Sequence, residues 1–297
     1  MKNRGSHLSL PFFLVAILIC GCSFTSPILH PFGTSKSWLK KRVLVTAIVD
    51  QAGLGRQTTE QLRHMLLTGL SASGKVVILD SEQAISTPSS AAKPSYGVVI
   101  DKALLKMARK KGINAVLTCV IGPIDGEKKI VGIWPLRKAV AYYQISLVSN
   151  LIDPQSETVI ISHLESDGIK IDLRKDKLTD KQSVRAELAS TILPRLIKHS
   201  IKPLIKALES EPWEGRILSV DHRILINAGH DVGLMPQCQF DVYAGNERVK
   251  TKNGSEVVVF WQKVGTIRVT EVGSKTSFAI PVKGKGFKPG QKIVSTH

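Results

Sequence analysis

Apolar positions change their period several times along this chain. Residues 42–49 form an unbroken run rich in Val and Ile, which predicts a strand covered on both faces. Residues 50–55 read as a turn, and Leu62, Leu66 and Leu70 then step at helical spacing through 58–71 until Gly74. Residues 75–79 give a second strand, so β-α-β is complete within forty residues and an open α/β sheet is expected. Residues 81–95, with many small side chains, Pro88 and Pro94, read as an excursion with a short helix near Glu82. An amphipathic helix follows over 101–111, capped by Gly112, and 113–121 supplies a third strand. Residues 122–138 are a loop or hairpin carrying Ile133-Trp134-Pro135-Leu136. A long strand over 139–152, a turn at 153–157 and a return strand over 158–166 close the sheet with an antiparallel pair.

From 183 to 208 the period is helical again, through Val184, Leu188, Ile192, Leu196, Ile201, Leu204 and Leu208. Thr179 or Asp180 is placed to cap this helix, and Pro194 and Pro203 should kink or divide it. It would cover one face of the sheet. The acidic, Pro-containing stretch 209–213 reads as a domain boundary. Beyond it come short strand-like runs at 216–220, 223–227, 239–244, 257–270, 278–282 and 292–294, separated by Gly-rich turns. That punctuation predicts a small all-β barrel, with Gly265 inside a strand as a barrel corner requires. The expected class is therefore α+β/α/β: an α/β sandwich-like domain with a mixed sheet, then the barrel.

The N-terminus changes this picture. An apolar block over 11–19 lies behind Lys2 and Arg4, the layout of a secretory signal, and is too short to span a bilayer, which takes about 20 residues. Ile19-Cys20-Gly21-Cys22 resembles the bacterial lipobox. Cleavage after Gly21 would make Cys22 the first mature residue, carrying the lipid, palmitate included. The expected division is 1–21 signal, 22–41 tether, 42–211 α/β domain and 212–297 barrel. Ser23 is not the aspartate that retains lipoproteins at the inner membrane in enterobacteria, so the periplasmic face of the outer membrane is expected.

The chain has 41 Lys+Arg against 24 Asp+Glu, a net charge of +17. Signal cleavage would remove Lys2, Arg4 and no acidic residue, leaving +15. In the cytosol that balance would point to nucleic acid. An exported chain meets other polyanions, and nucleic acid is not an expected partner. Lys102, Lys106, Arg109, Lys110 and Lys111 on one helix could face such a polyanion, although cations at a helix C-terminus also offset its dipole.

Candidate chemistry is sparse. Gly53-Leu54-Gly55 sits between strand and helix, but Thr58 replaces the third glycine of a dinucleotide fingerprint, so no cofactor is expected. Asp221, His222, His230 and Asp231 flank one predicted hairpin without metal-ligand spacing, and no metal is expected. His64 and His199 lie in predicted helices. No G-x-S-x-G elbow is present, and no catalytic residue is assigned. Asp167, Asp172 and Asp176, mixed with Lys170, Arg174, Lys175 and Lys177, read as a solvated linker. Cys119 and Cys238 read as unpaired thiols.

Gly215-Arg216-Ile217-Leu218-Ser219-Val220-Asp221, residues 226–234, 240–243, 264–272 and Lys288-Pro289-Gly290-Gln291-Lys292-Ile293-Val294 resemble the C-terminal domain of the flagellar assembly protein T family. That resemblance implies a small β-barrel of a periplasmic flagellar component. It departs at Met235-Pro236-Gln237, where the family has a glycine before the next strand. Residues 42–208 more loosely resemble the α/β domain of that family and of the curli-secretion lipoprotein group, on the first strand, residues 76–80, residues 112–117 and the turn 151–157. The expected function is a non-catalytic periplasmic lipoprotein, held to the membrane through Cys22, that scaffolds envelope proteins at the flagellar basal body. The alternative is a ring-forming accessory subunit of an outer-membrane secretion or polysaccharide-export system, in which a second copy of the chain is the partner. The only candidate for a membrane-crossing hairpin, 128–149, carries Lys128, Lys129, Arg137 and Lys138, which argue against insertion.

Overall fold

The computed structural model describes residues 39–80, 102–173, 180–250 and 256–295. The signal, Gly21, Cys22, Trp38, the excursion at 81–95, Thr179 and Asp176 lie outside the described residues. Among the described residues, no helix is long and apolar enough to cross a membrane.

The first half is a mixed six-stranded sheet. Its strands are β1 (Lys41–Asp50), β2 (Val76–Asp80), β3 (Ala115–Ile121), β4 (Asp125–Val131), β5 (Lys138–Ile152) and β6 (Val159–Asp172). β1 pairs in parallel with β2 and with β3, through right-sized crossovers that contain α1 (Arg56–Ala72) and α2 (Lys102–Lys110). The sheet then turns antiparallel at β3–β5. β5 is its longest shared member. One edge carries β6 along nearly its full length, and the other carries β3 on residues 147–152 and β4 on 138–144. Val43 and Val45 face a core with Leu62, Leu66 and Leu70 of α1, whereas Leu44 and Val116 face Leu104, Leu105 and Ala108 of α2. Burial on both faces is why residues 42–49 read as a continuous apolar run.

The long helical pattern after residue 180 is divided, as Pro194 requires. Asp180 caps α3 (Lys181–Glu187) by accepting from Ser183 N at 2.5 Å, a π-helical turn spans Leu188–Ile192, and α4 (Leu193–Ser210) follows with Pro194 in its first turn. Pro203 is accommodated inside α4. The π-turn keeps Leu188, Ile192, Leu193, Leu196 and Ile197 all in the sheet's core.

The second half is a closed barrel in the order β10-β11-β8-β7-β12-β9. Its strands are β7 (Glu214–Val220), β8 (Ile224–Ile226), β9 (Gln239–Lys250), β10 (Glu256–Val272), β11 (Ser277–Gly284) and β12 (Lys292–Ser295). Closure leaves no free edge within the barrel wall. Trp213, in the stretch read as a boundary, is fully buried beside Phe240, with ring centroids 5.5 Å apart. Leu39, at the end of the stretch read as a tether, packs into the same core.

Strands run beyond the bounds read from sequence in both halves, and one open reading is settled. β6 continues to Asp172, so Asp167, Lys170 and Asp172 belong to a strand and not to a linker. Ile169 and Ile171 face the core, Lys170 and Asp172 alternate with them on the other side, and Asp167, on the same side as the isoleucines, pairs with Arg195 of α4 at 3.2 Å. The loop-or-hairpin at 122–138 is a hairpin through β4, which is exposed along nearly its whole length. β9 and β10 run beyond the predicted strands and pair with each other from Gln239–Arg268 out to Lys250–Glu256.

Candidate functional site at the junction of sheet and barrel

Polar side chains concentrate where the barrel meets the sheet. Arg42, buried on β1, donates through Nη2 and Nε to Asp231 Oδ2 at 2.8 and 3.3 Å, and through Nη1 to Asn227 O at 2.6 Å. Asn114 bridges both halves: its Oδ1 accepts from Arg42 N at 2.9 Å and its Nδ2 donates to Glu214 O at 2.6 Å. Asn227 Oδ1 accepts from Arg216 N at 2.6 Å, and Arg216 reaches back to Gln155 Oε1 in the β5–β6 turn. Lys292 pairs with Glu214 at 2.7 Å. Each buried charge has an opposite charge or a carbonyl facing it, as burial demands.

Lys41 Nζ donates to Leu208 O and Glu211 O at the end of α4, where Leu208 O also accepts from the capping Glu211 N at 3.3 Å. Burial pushes its ammonium down to about 8, against the upward pull of Glu211, Glu214 and Glu209. Arg216 is likewise pushed down, by burial first and by Arg109 second. The cavity among these groups measures about 50 Å³, well below the roughly 300 Å³ of a small-molecule site. The junction is a polar joint that fixes one fold on the other. A wider, open groove of about 510 Å³ runs along the outer flank of α4, between Ser73, Ile201, Ile205 and three lysines at helical spacing, Lys198, Lys202 and Lys206.

The sequence candidates fall as follows. The turn after β1 is filled by its own carboxylate: Asp50 accepts from Ala52 N, Leu54 N and Gly55 N at 2.9, 2.7 and 3.0 Å. An anion at the start of α1 would meet that negative charge, which is the physical reason Gly53-Leu54-Gly55 makes no phosphate cradle. Asp221, His222 and His230 are exposed, and Asp231 is taken by Arg42. Among the described residues, no group of three His, Cys, Asp or Glu could hold a metal ion. His64 and His199 are exposed on their helices. Cys119 is buried, 3.6 Å from Ser149 Oγ, and burial raises its thiol to about 11; Cys119 and Cys238 are both free. Of the basic face on α2, Arg109 is spent on the β5–β6 turn, binding Pro154 O at 2.9 Å and Glu157 at 2.7 Å.

The joint was not foreseen from sequence. Its members are polar residues separated by up to 189 positions, and they follow no period.

No protein-family model matches the chain, and no curated protein matches it. Among solved structures it is similar to a neuraminyllactose-binding hemagglutinin homologue from Helicobacter pylori, at 17% identity and a TM-score of 0.38, over 58% of this chain and 89% of that one. It is similar to a lipoprotein from Neisseria meningitidis at 12% identity and a TM-score of 0.31, over 56% and 99%. It is also similar to the C-terminal domain of LpoB from Escherichia coli at 16% identity and a TM-score of 0.28, over 46% and 88%. At these values the likenesses assign no activity to this chain.

Proposed function

We propose that this chain is a non-catalytic, lipid-anchored scaffold of the bacterial cell envelope. Its anchor is Cys22, its place the periplasmic face of the outer membrane, and its partners other envelope proteins, with the flagellar basal body as the first assembly to examine. The observation that carries this reading is a projecting ribbon on a rigid body. β12 covers β9 only over residues 240–243, and β11 covers β10 only over 265–272. Beyond those contacts residues 244–250 and 256–264 pair with each other alone among the described residues. A two-stranded ribbon offers backbone edges to a partner strand, and the polar joint holds it in a fixed direction relative to the sheet. The stretch that resembles the flagellar assembly protein T barrel, 215–294, coincides with the closed barrel.

Deleting the gene and scoring motility, basal-body integrity and exported polymer tests the assignment. Lost motility with damaged basal bodies is expected; intact basal bodies with lost polymer would replace the flagellar assembly by an export system. Electron microscopy of the purified protein separates the same readings, since closed rings would favour the export subunit. Cys22→Ser should abolish labelling by a radioactive fatty acid, and persistent labelling would remove the anchor from the proposal.

A further inference from the structure

The β4–β5 hairpin ends in an unusual surface. Ile133, Trp134 and Leu136 are 85, 78 and 78% exposed, and Ile130 beside them is 73% exposed. Single exposed apolar residues need no explanation, but four within seven positions, one of them Trp, form a patch. The turn that presents them is built: Leu136 N donates to Ile133 O at 2.7 Å, and Gly132 holds a φ of +102°. A Cβ on Gly132 would lie 2.9 Å from Leu136 O, so a side chain there would open the turn.

The tip also projects. β6 stops opposite Val140, apart from one bond from Leu173 N to Ala139 O. Residues 131–138 therefore extend past every neighbouring strand among the described residues. Behind the apolar tip stand Lys128, Lys129, Arg137 and Lys138, four cations with two carboxylates at the same level among the described residues: Glu127, 2.7 Å from Lys129 Nζ, and Asp172, opposite Val140 on β6. Apolar side chains at the end with a collar of cations behind them match a lipid leaflet, whose acyl boundary lies below a layer of phosphates. An apolar protein groove would give that collar no counter-charge. Spanning is excluded by length and charge: β4 has seven residues, Lys128 and Lys129 included, where a membrane strand takes about ten.

We propose that this hairpin tip docks on an anionic lipid surface, seating Ile133, Trp134 and Leu136 at headgroup depth. The contact is separate from the lipid on Cys22 and stands whether or not that residue is acylated. It would orient the rigid body on the membrane, which a tether cannot do.

The test uses the full chain carrying Cys22→Ser, mixed with vesicles of phosphatidylethanolamine and phosphatidylglycerol whose acyl chains are brominated near the carbonyl. Trp134 fluorescence should be quenched, and Trp134→Phe should remove that component while leaving the signal of Trp38, Trp213 and Trp261. Ile133→Ser with Leu136→Ser should lower vesicle affinity at least about tenfold. Replacing phosphatidylglycerol by phosphatidylcholine, or Lys128→Glu with Lys129→Glu, should weaken binding comparably. All these side chains are exposed, so thermal melting should stay unchanged and a folding defect is separable. Equal quenching of the parent and Trp134→Phe chains would overturn the proposal. So would an unaltered affinity of the Ser variant, or a tip variant that loses self-association in sedimentation while Trp134 is never quenched, which would make a second copy the occupant.

Discussion

Arg42 and Asp231 lie 189 positions apart and meet across the joint, with Nη2 2.8 Å from Oδ2. Arg42 is the second residue of the sheet's first strand, and Asp231 lies in the 3₁₀ turn His230–Val232 of the barrel. The guanidinium also holds Asn227 O, so it ties down two points of one barrel loop. Arg42→Met should cost about 2–4 kcal/mol, because it leaves a partly buried carboxylate without its cation. Chemical denaturation of Arg42→Met, Asp231→Asn and the double variant should give a coupling energy of about 1–3 kcal/mol. A coupling near zero would mean the two halves are held together elsewhere.

The neighbouring Lys41 makes stability depend on pH. Its ammonium is lowered from the ordinary 10.5 to about 8, mainly by burial. Between these values the unfolded chain binds more protons at this position than the folded one, so stability rises with pH across the window. The contribution is fully present above about 10.5 and is lost as pH falls through 8. Relative to Lys41→Met, the native chain should gain about 1–3 kcal/mol between pH 7.5 and 10.5. Parallel stability curves for the two proteins over that range would contradict the assignment.

At the barrel corner, Gly265 faces Gly284 across the β10–β11 ladder. A Cβ on Gly265 would fall inside the contact distance of Lys283 O and 2.8 Å from Phe287 Cζ. Gly265→Ala should therefore destabilise by about 1–3 kcal/mol through overpacking. Ser274→Ala, in an exposed turn, is the matched control and should shift the melting temperature little.

Gln237, in the turn before β9, takes a φ of +71°, the left-handed region that favours glycine. Its N–H still bonds Val269 O at 2.9 Å, so the turn is kept in spite of the side chain. Gln237→Gly should stabilise the protein by about 1 kcal/mol by removing the left-handed penalty, read as a higher denaturation midpoint with an unchanged slope.

Sequence legibility followed the physics of burial. The strand at 42–49 was legible because β1 is apolar on both sides, and the helix before Gly74 because α1 buries Leu62, Leu66 and Leu70 on a single face. The barrel was legible through its turns. β4 was not, since none of its residues is buried and its pairing with β5 leaves no period to read. The end of β6 reads as a charged linker because Asp167, Lys170 and Asp172 outnumber Ile169 and Ile171, whose alternation is too short to mark a strand alone. The joint escaped for a different reason. Asp231 reads in the sequence only as one of four polar residues flanking a hairpin, its partner Arg42 stands at the start of an apolar strand, and nothing local connects the two.

Trp213 gives the chain a property that neither fold has alone. Its indole N–H donates to Lys40 O at 3.2 Å, and its carbonyl accepts from Ser295 N at 3.1 Å. The first and last described segments thus touch the same residue, and the path of the backbone through both folds is nearly a ring. A short linker from 295 to 39 would close it, and new termini could then be opened in the exposed turn at Asp221-His222, at the end of β7 and β8 away from Arg216 and Asn227, without parting the two halves. A permuted chain of that kind would keep every strand neighbour described above while moving its free ends to the far side of the barrel.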